Sequence, residues 1–227
     1  MSMVVKSGYK QTEVGEIPED WEVVPFGQLA HIERGKFTAR PRNNPRLYGG
    51  NIPFIQTGDV TNSNGKITTY SQTLNEEGLK VSKRFPRGTL FFTIAANIGD
   101  VGVASFETAC PDSLVAITPA KRTCQDWLAH ELRRRKQSFE NLASHNAQLN
   151  INLEKLRPYL LCAPPFPEQE AIAEALSDAD ALIESLEHLL SKKRQVKQGS
   201  HAGIAHRKKA FGWVQWGMGG EAVGGSW

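Results

Sequence analysis

Ala163-Pro164-Pro165-Phe166-Pro167-Glu168-Gln169-Glu170 divides this 227-residue chain in two. Proline fixes its own φ and pushes the residue before it toward extended geometry. Pro164, Pro165 and Pro167 therefore spell an extended strut, with a helix expected to start after it. From there to about residue 198, apolar side chains recur in steps of four and three, at Ile172, Leu176, Ala179, Ile183, Leu186 and Leu190. Ala175, Leu182, Leu189 and Val196 flank that seam every seven residues. So wide a stripe suits packing against another helix, and the junction separates an expected globule from an expected rod.

Upstream, residues 16–120 are punctuated by Gly, Pro and Asn with short β-prone stretches between. Residues 21–24, 52–56, 66–70, 89–95, 101–106 and 114–117 read as strands, Asn64-Gly65 as a tight turn, and 76–81 as a helical turn. Residues 125–144 carry Trp127, Leu128, Leu132, Phe139 and Leu142 at one-face helical spacing; Arg133-Arg134-Arg135-Lys136 on that helix reads as a solvated face or, more sharply, a phosphate contact. A short helix over 153–156 and a strand over 159–163 precede the strut. After Gly199 the pattern is lost, and the Gly-rich ending cannot recover the entropy of ordering. The expected class is α+β: a mixed, β-rich globule over 15–163 after an arm at 1–14, then a long helix over 164–199 forming an antiparallel coiled coil, then a disordered or aberrant tail over 200–227.

Net charge is only +3, so charge alone does not announce a nucleic-acid binder, but its distribution is uneven. Arg34, Lys36, Arg40, Arg42 and Arg46 fall in a stretch without an acid, interleaved with Asn43, Asn44, two prolines and Tyr48. Cys110, Cys124 and Cys162 lack zinc-ligand spacing and read as buried free thiols. The start lacks an apolar signal region and the most apolar run, 90–96, is too short to span a bilayer, so a cytoplasmic protein is expected. Phosphate-binding loops, dinucleotide loops, zinc-protease motifs and nucleophile elbows are missing. Pro111-Asp112 opens a metal-nuclease pattern with no Glu-x-Lys or Asp-x-Lys after it. Ala163-Pro164-Pro165-Phe166 imitates an amino-methyltransferase motif, but alanine stands where the amide is required. His145 with Asn146, and His31 near Glu33, lack a nucleophile or metal spacing and read as structural or exposed. No catalytic residue, metal or cofactor is expected.

Five stretches in order resemble one half of a type I restriction-modification specificity subunit. They are Gly15-Glu16-Ile17-Pro18-Glu19-Asp20-Trp21, Ile52-Pro53-Phe54-Ile55-Gln56-Thr57-Gly58-Asp59-Val60, Gly88-Thr89-Leu90 with Ile98-Gly99, Gln148-Leu149-Asn150-Ile151-Asn152, and Pro164-Pro165-Phe166-Pro167-Glu168-Gln169. The resemblance covers about residues 15–198 and implies a non-catalytic target-recognition domain followed by a conserved helical spacer. Expected partners are double-stranded DNA, a methyltransferase subunit and, through the complex, a restriction subunit. Such subunits usually carry two recognition domains, whereas no motif recurs here. Alternatives are a coiled-coil scaffold without DNA contact and a divergent nuclease or methyltransferase.

Charge on the rod favours a homodimer. Glu168, Glu170, Glu174, Asp178, Asp180, Glu184 and Glu187 precede Lys192, Lys193, Arg194 and Lys197, so two antiparallel helices set acid against base. In the globule, Arg34, Lys36, Arg40, Arg42 and Arg46 are expected to meet DNA, with Asn43 or Asn44 on adenine and an arginine on guanine. Gln56, Thr57, Asn64, Lys66, Lys83, Arg84 and Arg87 are further candidates. Replacing Arg40 and Arg42 is expected to flatten the salt dependence, and replacing Asn44 to relax base choice.

Overall fold

The computed structural model describes residues 6–144 and 150–214, with side chains for 6–143 and 150–198. His145, Asn146, Gln148, Leu149 and the final residues 215–227 lie outside these.

In chain order the strands are β1 (Tyr9–Thr12), β2 (Gly15–Pro18), β3 (Glu22–Pro25), β4 (Ala30–Arg34), β5 (Tyr48–Phe54), β6 (Lys66–Ile67), β7 (Gln72–Leu74), β8 (Arg84–Phe85), β9 (Leu90–Thr93), β10 (Val101–Ala104), β11 (Thr108–Ala109), β12 (Leu114–Pro119) and β13 (Leu160–Ala163). The helices are α1 (Phe26–Leu29), α2 (Thr57–Thr61), α3 (Glu76–Lys80), α4 (Gln125–Arg134), α5 (Lys136–Ser144), α6 (Leu153–Leu156) and α7 (Phe166–Val214). A five-stranded sheet has the order β4-β12-β9-β10-β6 and a four-stranded sheet the order β7-β5-β11-β8. Both are mixed, with parallel pairs β10·β6 and β11·β5. Two small antiparallel pairs, β1·β2 and β13·β3, complete the set. The mixed α+β class read from the sequence holds.

The centre is built from strands that are apolar on both faces. Along β9, Leu90 and Phe92 enter a core shared with α4, α5 and α6, while Phe91 enters a second core on the opposite face. Along β12, Val115 and Ile117 take the first core, Leu114 and Ala116 the second. Successive side chains of a strand point to opposite faces, so a run without polar alternation needs cover on both. Phe92 meets Phe139 edge-on at 5.0 Å on one side and Phe91 meets Phe85 at 5.6 Å on the other. A third core, Phe37, Ile52, Phe54, Leu74 and Ala109, lies on the four-stranded sheet.

Several expectations are corrected. The helix begins inside the proline stretch: Glu168 N–H and Gln169 N–H donate to the Pro165 carbonyl at 2.9 and 3.0 Å, and Pro167 sits in the first turn. A first-turn N–H has no partner within the helix, so proline costs nothing there. The same helix runs on through Gly199 to Val214. The helix expected over 125–144 breaks at Arg135, where no Pro or Gly marks the change. The stretch read as a strand over 66–70 pairs only at Lys66–Ile67. Within the arm at 1–14, Tyr9–Thr12 pairs with Gly15–Pro18.

The chain divides into two compact units between Ala175 and Leu176. The division falls within α7, because its first turns belong to the globule: Ala173 is buried in the first core and Ile172 packs against it. Ile172 therefore drops out of the exposed seam. In the second unit Leu176, Leu182, Ile183, Leu186, Leu189, Leu190 and Val196 are all exposed. Among the described residues, no helix is long and apolar enough to cross a membrane.

Candidate nucleic-acid interface

The basic stretch begins at the end of β4, whose Arg34 pairs with Val115. Gly35 then passes so close to the next segment that a Cβ would lie 2.2 Å from the Pro111 carbonyl oxygen. Its N–H donates to Leu114 O at 2.8 Å, followed by Lys36 N–H to Cys110 O at 3.1 Å and Thr38 N–H to Val81 O at 2.9 Å. Ser82 hydroxyl donates to the Lys36 carbonyl at 2.7 Å. Phe37 plugs the third core, with its ring 5.0 Å from Phe54 and 6.0 Å from Tyr48. Backbone and one aromatic anchor thus tie the stretch down while its cations stay exposed.

Those cations differ in how they are held. Arg34, Lys36 and Arg46 have no ion pair among the described residues. Arg40 turns back onto the Ala39 carbonyl at 2.8 Å. Arg42 donates from Nη2 to both oxygens of Asp112, at 2.7 and 2.8 Å. Asn44 accepts from Arg46 N–H at 3.2 Å and caps the short turn Pro45–Leu47. Its carbonyl oxygen thus makes one local cap bond and keeps a second lone pair, and Asn43 is exposed. Asn75, which the sequence did not single out, holds the far end: its amide donates to Arg46 O at 2.9 Å and Tyr48 O at 3.2 Å.

A cleft of about 460 Å³ opens beside this stretch, lined by Phe37, Arg42, Asn43, Tyr48, Phe54, Gln56, Gln72 and Pro111. Gln56 amide donates to Gln72 Oε1 at 3.1 Å, and Gln56 N–H donates to Asp59 at the start of α2, with Thr57 as its first residue. Burial raises the Tyr48 hydroxyl above its ordinary value despite the Arg42 guanidinium nearby. Burial, with Glu33 adding, likewise pushes the Cys110 thiol far up, which keeps it protonated and inert.

Other candidates lie elsewhere or are already neutralised. Lys83 pairs with Glu33, and Arg84 with Glu107 at 2.7 Å; Arg87 is exposed. Asn64 and Gly65 turn with φ of 46° and 90° and lead into Lys66 on β6, the edge of the five-stranded sheet opposite Arg34. At about 4.8 Å per strand, those two edges stand roughly 19 Å apart, so Lys66 and Arg34 do not converge. The Arg133–Lys136 run is largely engaged as well: Arg134 and Arg135 share Glu131, and Lys136 meets Asp100. Burial alone would lower Arg135, but the Glu131 carboxylate and Tyr159 leave it raised.

Three of the resembling motifs, the first, fourth and last, prove to be joints. Trp21 Nε1–H donates to Glu168 at 3.1 Å, so the first and last motifs touch. Gln169, only 2% exposed, accepts from Cys124 N–H at 2.9 Å and donates to the Pro164 carbonyl at 2.9 Å. Asn150 bridges to Ala95, Ile151 is buried, and Asn152 caps α6 by accepting from Lys155 N–H at 3.0 Å.

The site is thus an ordered cationic stretch beside a cleft into which Asn43, Gln56 and Gln72 bring amides, and among the described residues no cluster of His, Cys, Asp and Glu could hold a metal. The family model for the type I restriction modification DNA specificity domain matches residues 18–194, and the chain belongs to that family. It is 27% identical over 206 residues to a putative type I restriction enzyme MjaX specificity subunit of Methanocaldococcus jannaschii, covering 86% of this chain and 47% of that protein. To the MjaIX specificity subunit of the same organism it is 26% identical over 186 residues, 78% of this chain and 42% of that one. The HsdS subunit from Thermoanaerobacter tengcongensis shares the fold, with a TM-score of 0.61 at 19% identity over 80% of this chain and 42% of that one. The chain thus spans about half the length of the curated relatives it matches. Specificity subunits of this family are recognition components rather than catalysts, in keeping with the reading from sequence.

Proposed function

We propose that this chain reads one half of a bipartite site on double-stranded DNA, as the specificity component of a type I restriction-modification complex. The family match over residues 18–194 carries this reading. Arg34, Lys36 and Arg46, which have no ion pair among the described residues, are the phosphate contacts; Asn43, Gln56 and Gln72, which line the cleft, offer amides to base edges. Thr57, Asn64, Lys66 and Arg87 remain further candidates, and Lys83 and Arg84 contribute less because their acids offset them. Methylation and cleavage belong to the methyltransferase and restriction subunits that the chain joins.

The helix is the spacer and the dimerisation element. Leu176, Ala179, Ile183, Leu186 and Leu190 form its seam, and residues 176–198 extend about 34 Å at 1.5 Å per residue, one turn of B-DNA. Two copies paired antiparallel bring acids opposite bases and supply two recognition domains related by a two-fold axis, so the target is an inverted repeat split by a spacer. Selection of bound duplexes from random DNA, with the methyltransferase subunit present and absent, tests this. Enrichment of a split palindrome is expected; a folded chain that enriches no sequence in either condition leaves only the scaffold reading.

A further inference from the structure

Phosphate contact and base reading make opposite demands on a cation. A phosphate accepts charge from many directions, so a mobile side chain serves. A base edge requires a guanidinium held at one angle, because discrimination comes from two hydrogen bonds made together. Arg42 is the cation of the basic stretch held in this second way. Asp112 grips its Nη2 with both oxygens, and its own carbonyl accepts from the Tyr48 hydroxyl at 2.5 Å. The two oxygens of one carboxylate lie too close together to take both diverging N–H bonds of a single nitrogen, so they share one. The other Nη2 N–H, with an N–H of Nη1 or Nε, remains as a two-donor edge. The pair remains accessible, with the two side chains 45% and 40% exposed, and Arg42 shares its cleft with Asn43, Gln56 and Gln72. The Asp112 carboxylate also repels a phosphate at that point, which separates Arg42 from the backbone-binding cations.

We infer that Asp112 is a positioning residue that holds Arg42 to read the O6 and N7 edge of one guanine in the target site. This rests on the DNA-recognition reading above. The dipeptide Pro111-Asp112, useless as a metal motif, acquires a role through a partner 70 positions away.

The test uses the full chain with its methyltransferase subunit and the duplex that the wild type enriches, with each guanine replaced in turn. Wild type is expected to lose on the order of 5- to 150-fold at one guanine. Arg42→Ala and Asp112→Asn are both expected to lose that preference at the same position, while other positions and the Asp112→Asn salt slope stay as in wild type. Full retention of the guanine preference by Asp112→Asn overturns the inference. So does a loss spread over all positions, which marks a merely structural role. An Arg42→Ala variant with a shallower salt slope and intact base preferences makes Arg42 a phosphate contact and overturns it too. Should Asp112→Asn fail to fold, Arg42→Ala alone decides by the same single-position readout. Failure of the wild type to enrich any sequence instead removes the recognition reading itself.

Discussion

Gln169 shows how much one side chain can decide. Its amide satisfies a half-buried N–H on Cys124 and the buried Pro164 carbonyl, stitching the start of α7 to the start of α4. Leaving buried polar groups unpaired costs about 1–3 kcal/mol each, so Gln169→Ala is expected to lower unfolding stability by about 2–4 kcal/mol in urea titration. Trp21→Phe, which removes one half-buried bond to Glu168, is expected to cost only about 0.5–1.5 kcal/mol. The letters Pro-Glu-Gln were legible as a motif, but their partner lies 45 positions away and was not. Asn44 carried a local signal that went unused: an Asn just before Pro45 is an N-cap pattern, and its side chain caps the turn Pro45–Leu47. Arg42 carried none, because its acid is brought to it by the fold.

Elements divide by what specifies them. The apolar runs of β9 and β12 were readable because both faces of each strand are covered, which removes the polar alternation. The two-residue strands β8 and β11 were not, since neighbours rather than their own residues define them. Helix α7 was legible in period and charge, but its start at Phe166 and the claim of the first core on Ile172 were not. Beyond Ala175 the apolar stripe stays exposed, with Leu186 at 51% and Leu190 at 55%. An exposed stripe of this kind calls for a partner. Light scattering at micromolar concentration is expected to find a dimer, and Leu186→Asp with Leu190→Asp a monomer. A wild-type monomer ends the homodimer proposal.

For the whole molecule, the distribution of charge matters more than the net +3. Each phosphate contact contributes about 0.9 to the slope of log binding constant against log salt. Replacing Arg34, Lys36 and Arg46 together by Ala is expected to make that slope shallower by about 2.7, in titrations between low and moderate salt. Arg40→Ala is expected to change it little, because Arg40 is turned onto the Ala39 carbonyl. This replaces the Arg40 and Arg42 pair that charge counting alone nominated. By itself the sequence determined the α+β class, the family, and the charge reversal along the helix, because composition, motif order and helical period are local properties of the chain. Tertiary structure alone decided which cations are held by acids, where along α7 the two compact units divide, and that three of the resembling motifs are joints. Those outcomes depend on contacts between residues far apart in the chain, such as Arg42 with Asp112 and Trp21 with Glu168, which no local pattern encodes.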